Sequence, residues 1–192
     1  MGQEYIEEKT FDKIDFIQNR LSIGEYESCT FISCDFSSSD LSVAVFMDCE
    51  FENCNLSMAK LNNTAFREVR FRNCKMLGLH FENCNEIGLS VSFDNCNLNH
   101  SSFYKTKLKK RIFRNLKLYE ADFTECDLSG SVFENCDLMR ATFDNSILER
   151  TDFRTSFNYS IDPEKNRIRK ARFSLIGIAG LLNKYDIDID NQ

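Results

Sequence analysis

The residues in this chain best suited to chemistry are its nine cysteines and two histidines. Thiolates and imidazoles hold zinc when paired at short spacing, usually C-x2-4-C with a second pair elsewhere. Here the closest pairs, Cys29/Cys34 and Cys49/Cys54, are spaced by a repeat that also contains Cys74, Cys84, Cys96, Cys126 and Cys136. That regularity points to a shared structural slot, not to a metal centre or a disulfide framework. His80 and His100 belong to no H-E-x-x-H pattern, and His80, between Leu79 and Phe81, is expected in an outward, solvated position. No P-loop, G-x-G-x-x-G or G-x-S-x-G is present. No catalytic residue, cofactor or metal is expected, and the chain does not read as an enzyme.

The element that positions these residues is a five-residue repeat. Counting in fives from Phe11 to Phe81 meets a large apolar residue at every step, and from Phe93 to Phe153 the count alternates Phe and Leu without exception. Phe173 stays in phase, which leaves Phe157 as the one phenylalanine out of register. A period of five fits neither the 3.6 residues of a helix nor the two of a long strand. It describes a short extended piece and a corner. All nine cysteines lie two residues before a central position, in a slot shared with Ala44, Ala59, Ser101, Ala121, Ser131, Ala141 and Ser146. The slot demands a small residue, and cysteine serves there as a small hydrophobe.

A longer period organises the shorter one. Steps of twenty, with one step of twenty-two, join Phe31, Phe51, Phe71, Phe93, Phe113, Phe133 and Phe153 into a pure phenylalanine column. The next column reads Glu52, Arg72, Asp94, Arg114, Glu134 and Arg154, and the one after it Asn53, Asn73, Asn95, Asn115 and Asn135. Such columns predict a stack of four-sided coils in which residue n lies over residue n+20. Phenylalanine fills the interior, opposite charges form a surface ladder, and asparagines hydrogen-bond along the stack. Each exposed ion pair contributes about 0–1 kcal/mol, so the ladder is no catalytic site. The long step places a two-residue insertion near residues 86–90, expected as a bulge or small protruding loop.

The words SDLSV (39–43), ADFTE (121–125) and CDLSG (126–130) resemble the pentapeptide-repeat family, over about residues 11–155. The resemblance implies an all-β fold, a right-handed quadrilateral β-helix, here of about seven coils. The expected organisation is an N-terminal cap at 1–10, the β-helix at 11–157, and a C-terminal part at 158–192. That last part reads as an excursion through Asp162 and Pro163, a final coil at 171–174, and an α-helix on which Leu175, Ile178, Leu181 and Leu182 stand at helical spacing. The tail is similar to that of the quinolone-resistance members of the family, which implies a homodimer joined end to end through this helix. The same resemblance implies a DNA mimic that binds a type II topoisomerase, DNA gyrase or topoisomerase IV, and protects it from quinolones. A scaffold for another protein partner is the alternative.

The net charge is −6, and without a basic excess direct nucleic-acid binding is not expected. An acidic start, MGQEYIEEK, lacks the basic and apolar regions of a signal peptide. No stretch is long enough to span a membrane, and an odd number of cysteines suits the cytoplasm. The candidate partner contacts are Glu86, Ile87 and Leu89 in the insertion and Glu120, Asp122, Glu125 and Asp127 in an acidic run. Against them stands a basic run, Lys105, Lys107, Lys109, Lys110, Arg111, Arg114 and Lys117, whose removal would leave −13 on the rest. It reads as a solvated face, as an anion or nucleic-acid patch, or as a patch complementary to an acidic region of a partner. Arg111 falls in the inward small-residue slot, where an unpaired guanidinium is costly. A local widening that lets it reach outward is expected.

Overall fold

The computed structural model describes residues 4–189 and shows the repeat wound into a parallel β-solenoid of about seven coils. Its strands are β1 (Glu4–Glu7), β2 (Thr10–Asp12), β3 (Gly24–Glu27), β4 (Thr30–Ile32), β5 (Val45–Met47), β6 (Glu50–Glu52), β7 (Ala65–Arg67), β8 (Val69–Arg72), β9 (Val91–Asp94), β10 (Ile112–Arg114) and β11 (Val132–Glu134). They form one sheet in the order β1-β3-β5-β7 and another in the order β2-β4-β6-β8-β9-β10-β11. Every step pairs residue n with n+20, as in Phe11↔Phe31 and Phe113↔Phe133, except where β8 meets β9 and Phe71 pairs with Phe93. Isolated parallel bridges such as Asp35↔Asn55 and His80↔Ser102 join the coils between the sheets.

Each coil has four sides, named here by their inward columns. The first side carries the phenylalanine column of the seven-stranded sheet. The second carries Phe16, Phe36, Leu56 and Met76, the third Leu41, Leu61, Phe81 and Phe103, and the fourth Tyr26, Phe46, Phe66 and, past the insertion, Leu108, Leu128 and Leu148. These residues are buried, and the rings stack coil on coil: Phe31 on Phe51 at 4.6 Å and Phe113 on Phe133 at 4.5 Å between centroids. The spacing is that of the strands themselves, ~4.8 Å. Rings on adjacent sides meet edge to face, as Phe31 and Phe36 do at 71°, as do rings facing each other across the core, such as Phe113 and Phe123 at 87°, and both arrangements suit the aromatic quadrupole.

The corners explain two of the columns. The second residue after most centres is left-handed, with φ of 55° at Asn53, 53° at Asn73 and 54° at Asn115. Asparagine tolerates that region better than most side chains, so backbone conformation selects the column. Hydrogen bonding along it is secondary: Asn95 donates to Asn73 at 2.7 Å and Asn135 to Asn115 at 3.4 Å, while Asn115 turns to Asp94. Val43, at φ 59°, is a β-branched misfit in the same position.

The small-residue slot is a donor slot as well. Cys54 Sγ donates to the Phe31 carbonyl, Ser131 Oγ to that of Leu108, Ser146 Oγ to that of Phe123 and Thr151 Oγ1 to that of Leu128, each twenty-three residues back. Across the insertion the offset becomes twenty-five, from Ser101 to Met76. Cysteine, serine and threonine are therefore exchanged there because each is small and carries one proton to satisfy a buried carbonyl.

The two ends depart from the regular stack. At the N-terminus, β1 adds a strand beside β3, with Ile6 opposite Tyr26; residues 1–3 of the expected cap lie outside the described residues. At the C-terminus the expected α-helix is absent. Leu175, Ile178, Leu181 and Leu182 lie instead on or beside two 3-10 turns, Ile176–Leu181 and Asn183–Tyr185. The physical reason is a close approach. A Cβ on Gly177 or Gly180 would collide with Tyr159, whose side chain fills the end of the core, and the Gly180 carbonyl accepts from Ile161 N at 2.9 Å. Two glycines in six residues also cost about 1 kcal/mol each in helix propensity. The apolar spacing thus serves a tight cap: Leu181 packs on the core while Leu175 and Ile176 are 87% and 88% exposed. Residues 190–192 of this segment lie outside the described residues.

Candidate functional site

The insertion breaks the fourth side. After the 3-10 turn Phe81–Asn83 the chain leaves the stack, and residues 84–90 form a loop where the fourth side's sheet, β1-β3-β5-β7, would have continued. Asn85 Oδ1 accepts from Ile87 N at 2.9 Å, a local turn of the Asx type, and Gly88 takes a φ of 74°. The chain rejoins at Ser90, whose N donates to Phe66 O and whose Oγ donates to Glu68 at 2.6 Å. Glu86 and Ile87 project into solvent, Ile87 being 74% exposed, while Leu89 packs back on the core.

Beneath the loop lies a groove of about 590 Å³. Phe81, Cys84 and Leu89 make its apolar floor, and Tyr104, Lys105 and Lys107 of the next coil form the opposite wall. Cys84 alone among the cysteines is only half-buried. Burial and then the charge of Glu82 push its thiol up to about 12, so at neutral pH it is a thiol, not a nucleophilic thiolate. Among the described residues, no group of three or more His, Cys, Asp or Glu is arranged to hold a metal, and no helix is long and apolar enough to cross a membrane.

The acidic and basic runs turn out to be vertical neighbours. Lys105 meets Glu125 at 3.5 Å, Lys109 meets Asp127 at 3.0 Å and Arg114 meets Glu134 at 2.9 Å. Glu120 lies between His100 at 3.2 Å and Arg140 at 3.0 Å, and Asp122 accepts from Thr124 N in its own turn. The four acids occupy three different sides of the rod, so they do not form one patch. Lys107, Lys110, Arg111 and Lys117 make no ion pair among the described residues, and Lys117 stands in a column between Asn97 and Asp137. Arg111 is half-buried beside a gap of about 40 Å³ bordered by Glu68 and Ser90, and its N donates to Ser131 Oγ at 3.1 Å. The guanidinium is not enclosed.

One group was missed in the linear sequence. Glu4, Glu7, Glu8, Glu25, Glu27, Asp48 and Glu68 all stand outward on the fourth side before the insertion, where Arg67 is the one cation. None makes an ion pair among the described residues, and Glu7 lies in register with Glu27. Dispersed over sixty residues they do not form a run. Counting in twenties from Glu8, through Ser28 to Asp48 and Glu68, would have brought them together.

The fold defines a class, a solenoid of stacked parallel pentapeptide coils, here interrupted by one loop. The sequence pattern described as "Pentapeptide repeat region" matches residues 25–86 and 89–158. The chain belongs to the pentapeptide-repeat family, and the gap in the match falls in the loop. No curated protein matches it in sequence. Among solved structures it is similar to two trypsin-treated variants of QnrB1, described as a plasmid-mediated fluoroquinolone resistance protein. One matches at 20% identity and TM-score 0.57 over 97% of each chain. The other matches at 20% identity and TM-score 0.56 over 99% of this chain and 100% of that one. At that identity the likeness is one of fold.

Proposed function

We propose that the chain is a non-enzymatic protein-binding rod whose acidic half-side imitates duplex DNA toward a type II topoisomerase, DNA gyrase or topoisomerase IV, and protects it from quinolones. The observation that carries this reading is the unneutralised acidic half of the fourth side. Seven acids over four coils, about 19 Å at ~4.8 Å per coil, place one negative charge every ~2.7 Å. Duplex DNA places one every ~1.7 Å. A basic DNA cleft attracts such a line of charge and steers it into place. The fold likeness to a fluoroquinolone resistance protein supports the same reading. Glu86, Ile87 and Leu89 border the acidic half and serve as its contact loop. Glu120, Asp122, Glu125 and Asp127 are already engaged within the rod and act at most as a secondary contact. The compartment implied is the cytoplasm, where the enzyme and its DNA meet. Two rods join end to end through the exposed Leu175 and Ile176 of the C-terminal cap.

The alternative, a scaffold for another protein, is favoured by the mixed signs of the first side, where Glu50, Arg72, Arg114 and Glu134 cancel in pairs. Supercoiling by purified DNA gyrase, with increasing amounts of the protein and with or without a fluoroquinolone, separates the two. Inhibition or drug protection at about micromolar protein, weakened by Glu7→Lys with Asp48→Lys, supports the mimic. No effect of the folded protein in either condition leaves the scaffold.

A further inference from the structure

The fourth side changes sign at the insertion. Below the loop it is the acidic half just described. Above it, seven cations, from Lys107 to Lys170, stand outward against Asp127 and Glu149. Lys109 and Arg167 are answered by those two acids, at 3.0 and 2.8 Å, whereas Lys107, Lys110, Arg150, Arg169 and Lys170 make no ion pair among the described residues. Both halves face the same way, because the neighbouring sides run past the loop without a break: Phe71 pairs with Phe93 on one and Phe81 stacks on Phe103 at 4.7 Å on the other.

Charge of one sign stacked coil on coil works against the fold, since like charges directly opposite each other repel. Apart from Lys109 and Arg167, the charges of neither half form an ion pair among the described residues, yet each half is the complement of the other. The halves are also equal in extent. Below the loop the inward column runs through Ile6, Tyr26, Phe46 and Phe66, and above it through Leu108, Leu128, Leu148 and Ile168, four coils on each side. A surface divided in this way is self-complementary under a two-fold axis through its middle, as an isologous dimer requires. At that middle stands Ile87, 74% exposed.

We propose that the fourth side is a docking surface for a second copy of the chain, laid alongside in antiparallel sense. The acidic half of each rod meets the basic half of the other, and the two Ile87 side chains meet near the axis. Glu86 and the groove of Phe81, Cys84 and Leu89 lie beside that contact and become partly covered. The pairing rests mainly on charge complementarity between exposed side chains, so it is sensitive to salt. It covers the acidic half, so pairing competes with topoisomerase binding, and it is measured here without the enzyme.

The test is sedimentation velocity on a full chain carrying Leu175→Glu and Ile176→Glu, which removes association through the cap. At protein up to about 100 µM, the expected result is a dimer at about 0.02 M salt that dissociates at about 0.5 M, where charges are screened within a few ångströms. Lys107→Glu, Lys110→Glu and Lys170→Glu together take the upper half from +5 to −1 while the lower half stays at −6; Glu7→Lys, Glu25→Lys and Asp48→Lys take the lower half from −6 to 0 while the upper half stays at +5. Each triple variant alone is expected to be monomeric, and an equal mixture to recover the dimer. Ile87→Asp, at an exposed site without cost to the fold, is expected to weaken self-association at least tenfold. A monomer at low salt before any charge is reversed overturns the proposal. So does a dimer indifferent to both salt and Ile87→Asp, or a mixture of the two triple variants that stays monomeric while both retain the β-type circular dichroism of the parent.

Discussion

The first and fourth sides are wound from the same five-residue repeat, yet the first runs unbroken through seven strands and the fourth breaks at residues 84–90. On the first side the inward column is all phenylalanine and the outward charges cancel. On the fourth the column mixes Ile, Tyr, Phe and Leu, and the outward charges separate into two halves. In a solenoid each coil is stabilised mainly by the coils above and below it. An insertion on one side is tolerated as long as the flanking sides keep the stack in register. The first side thus carries cohesion, and the fourth is free to carry contacts.

The sharpest way to break the comparison is Phe93→Ala, at the β8–β9 step where the register changes. It removes a buried ring stacked between Phe71 and Phe113 and is expected to cost about 3–5 kcal/mol, read as a lower urea midpoint. An effect below about 1 kcal/mol would mean that this column does not hold the rod together. Ser131→Ala comes next, at about 1–3 kcal/mol, because it leaves the buried Leu108 carbonyl without its donor. Cys136→Ser, which keeps a donor to the Phe113 carbonyl, is expected to stay within about 1 kcal/mol of the parent. If the two substitutions cost the same, the slot selects for size and not for the proton.

A smaller effect of opposite sign is expected at Val43, where glycine relieves a left-handed β-branched residue and should raise stability by about 1 kcal/mol. The smallest effect sharpens the contrast most. Deleting Glu86 and Gly88 leaves Cys84, Asn85, Ile87, Leu89 and Ser90 as one regular repeat, with Ile87 at the inward centre. Stability is expected to hold within about 1 kcal/mol, while the groove and the projecting loop disappear. Unfolding of the deleted chain would show that the loop is part of the fold and not a graft on it.

Much of the architecture was legible because a slot's size requirement recurs at a fixed interval. The inward columns, the coil of twenty and the insertion all follow from counting. The side-chain partners did not follow. Arg72 reaches diagonally to Glu50 at 2.8 Å, not to Glu52 in its expected column, and Arg154 folds onto Asp152 of its own coil at 2.7 Å. Long side chains at a corner have several acids within reach, and the column alone does not choose among them. At the C-terminus the helical spacing of Leu175, Ile178, Leu181 and Leu182 misled because glycines 177 and 180 are needed for contact with Tyr159, a neighbour the linear sequence does not identify.

By itself, the sequence determined that this protein is a stack of pentapeptide coils with a phenylalanine interior and one interruption, because each inward slot accepts few residue types and the choice repeats along the chain. Only the tertiary structure decided which of the outward charges find partners, how the loop opens the fourth side, and that the end is closed by 3-10 turns. Those properties arise between coils, where residues far apart in the chain come within ~5 Å of one another, and local pattern has no access to them.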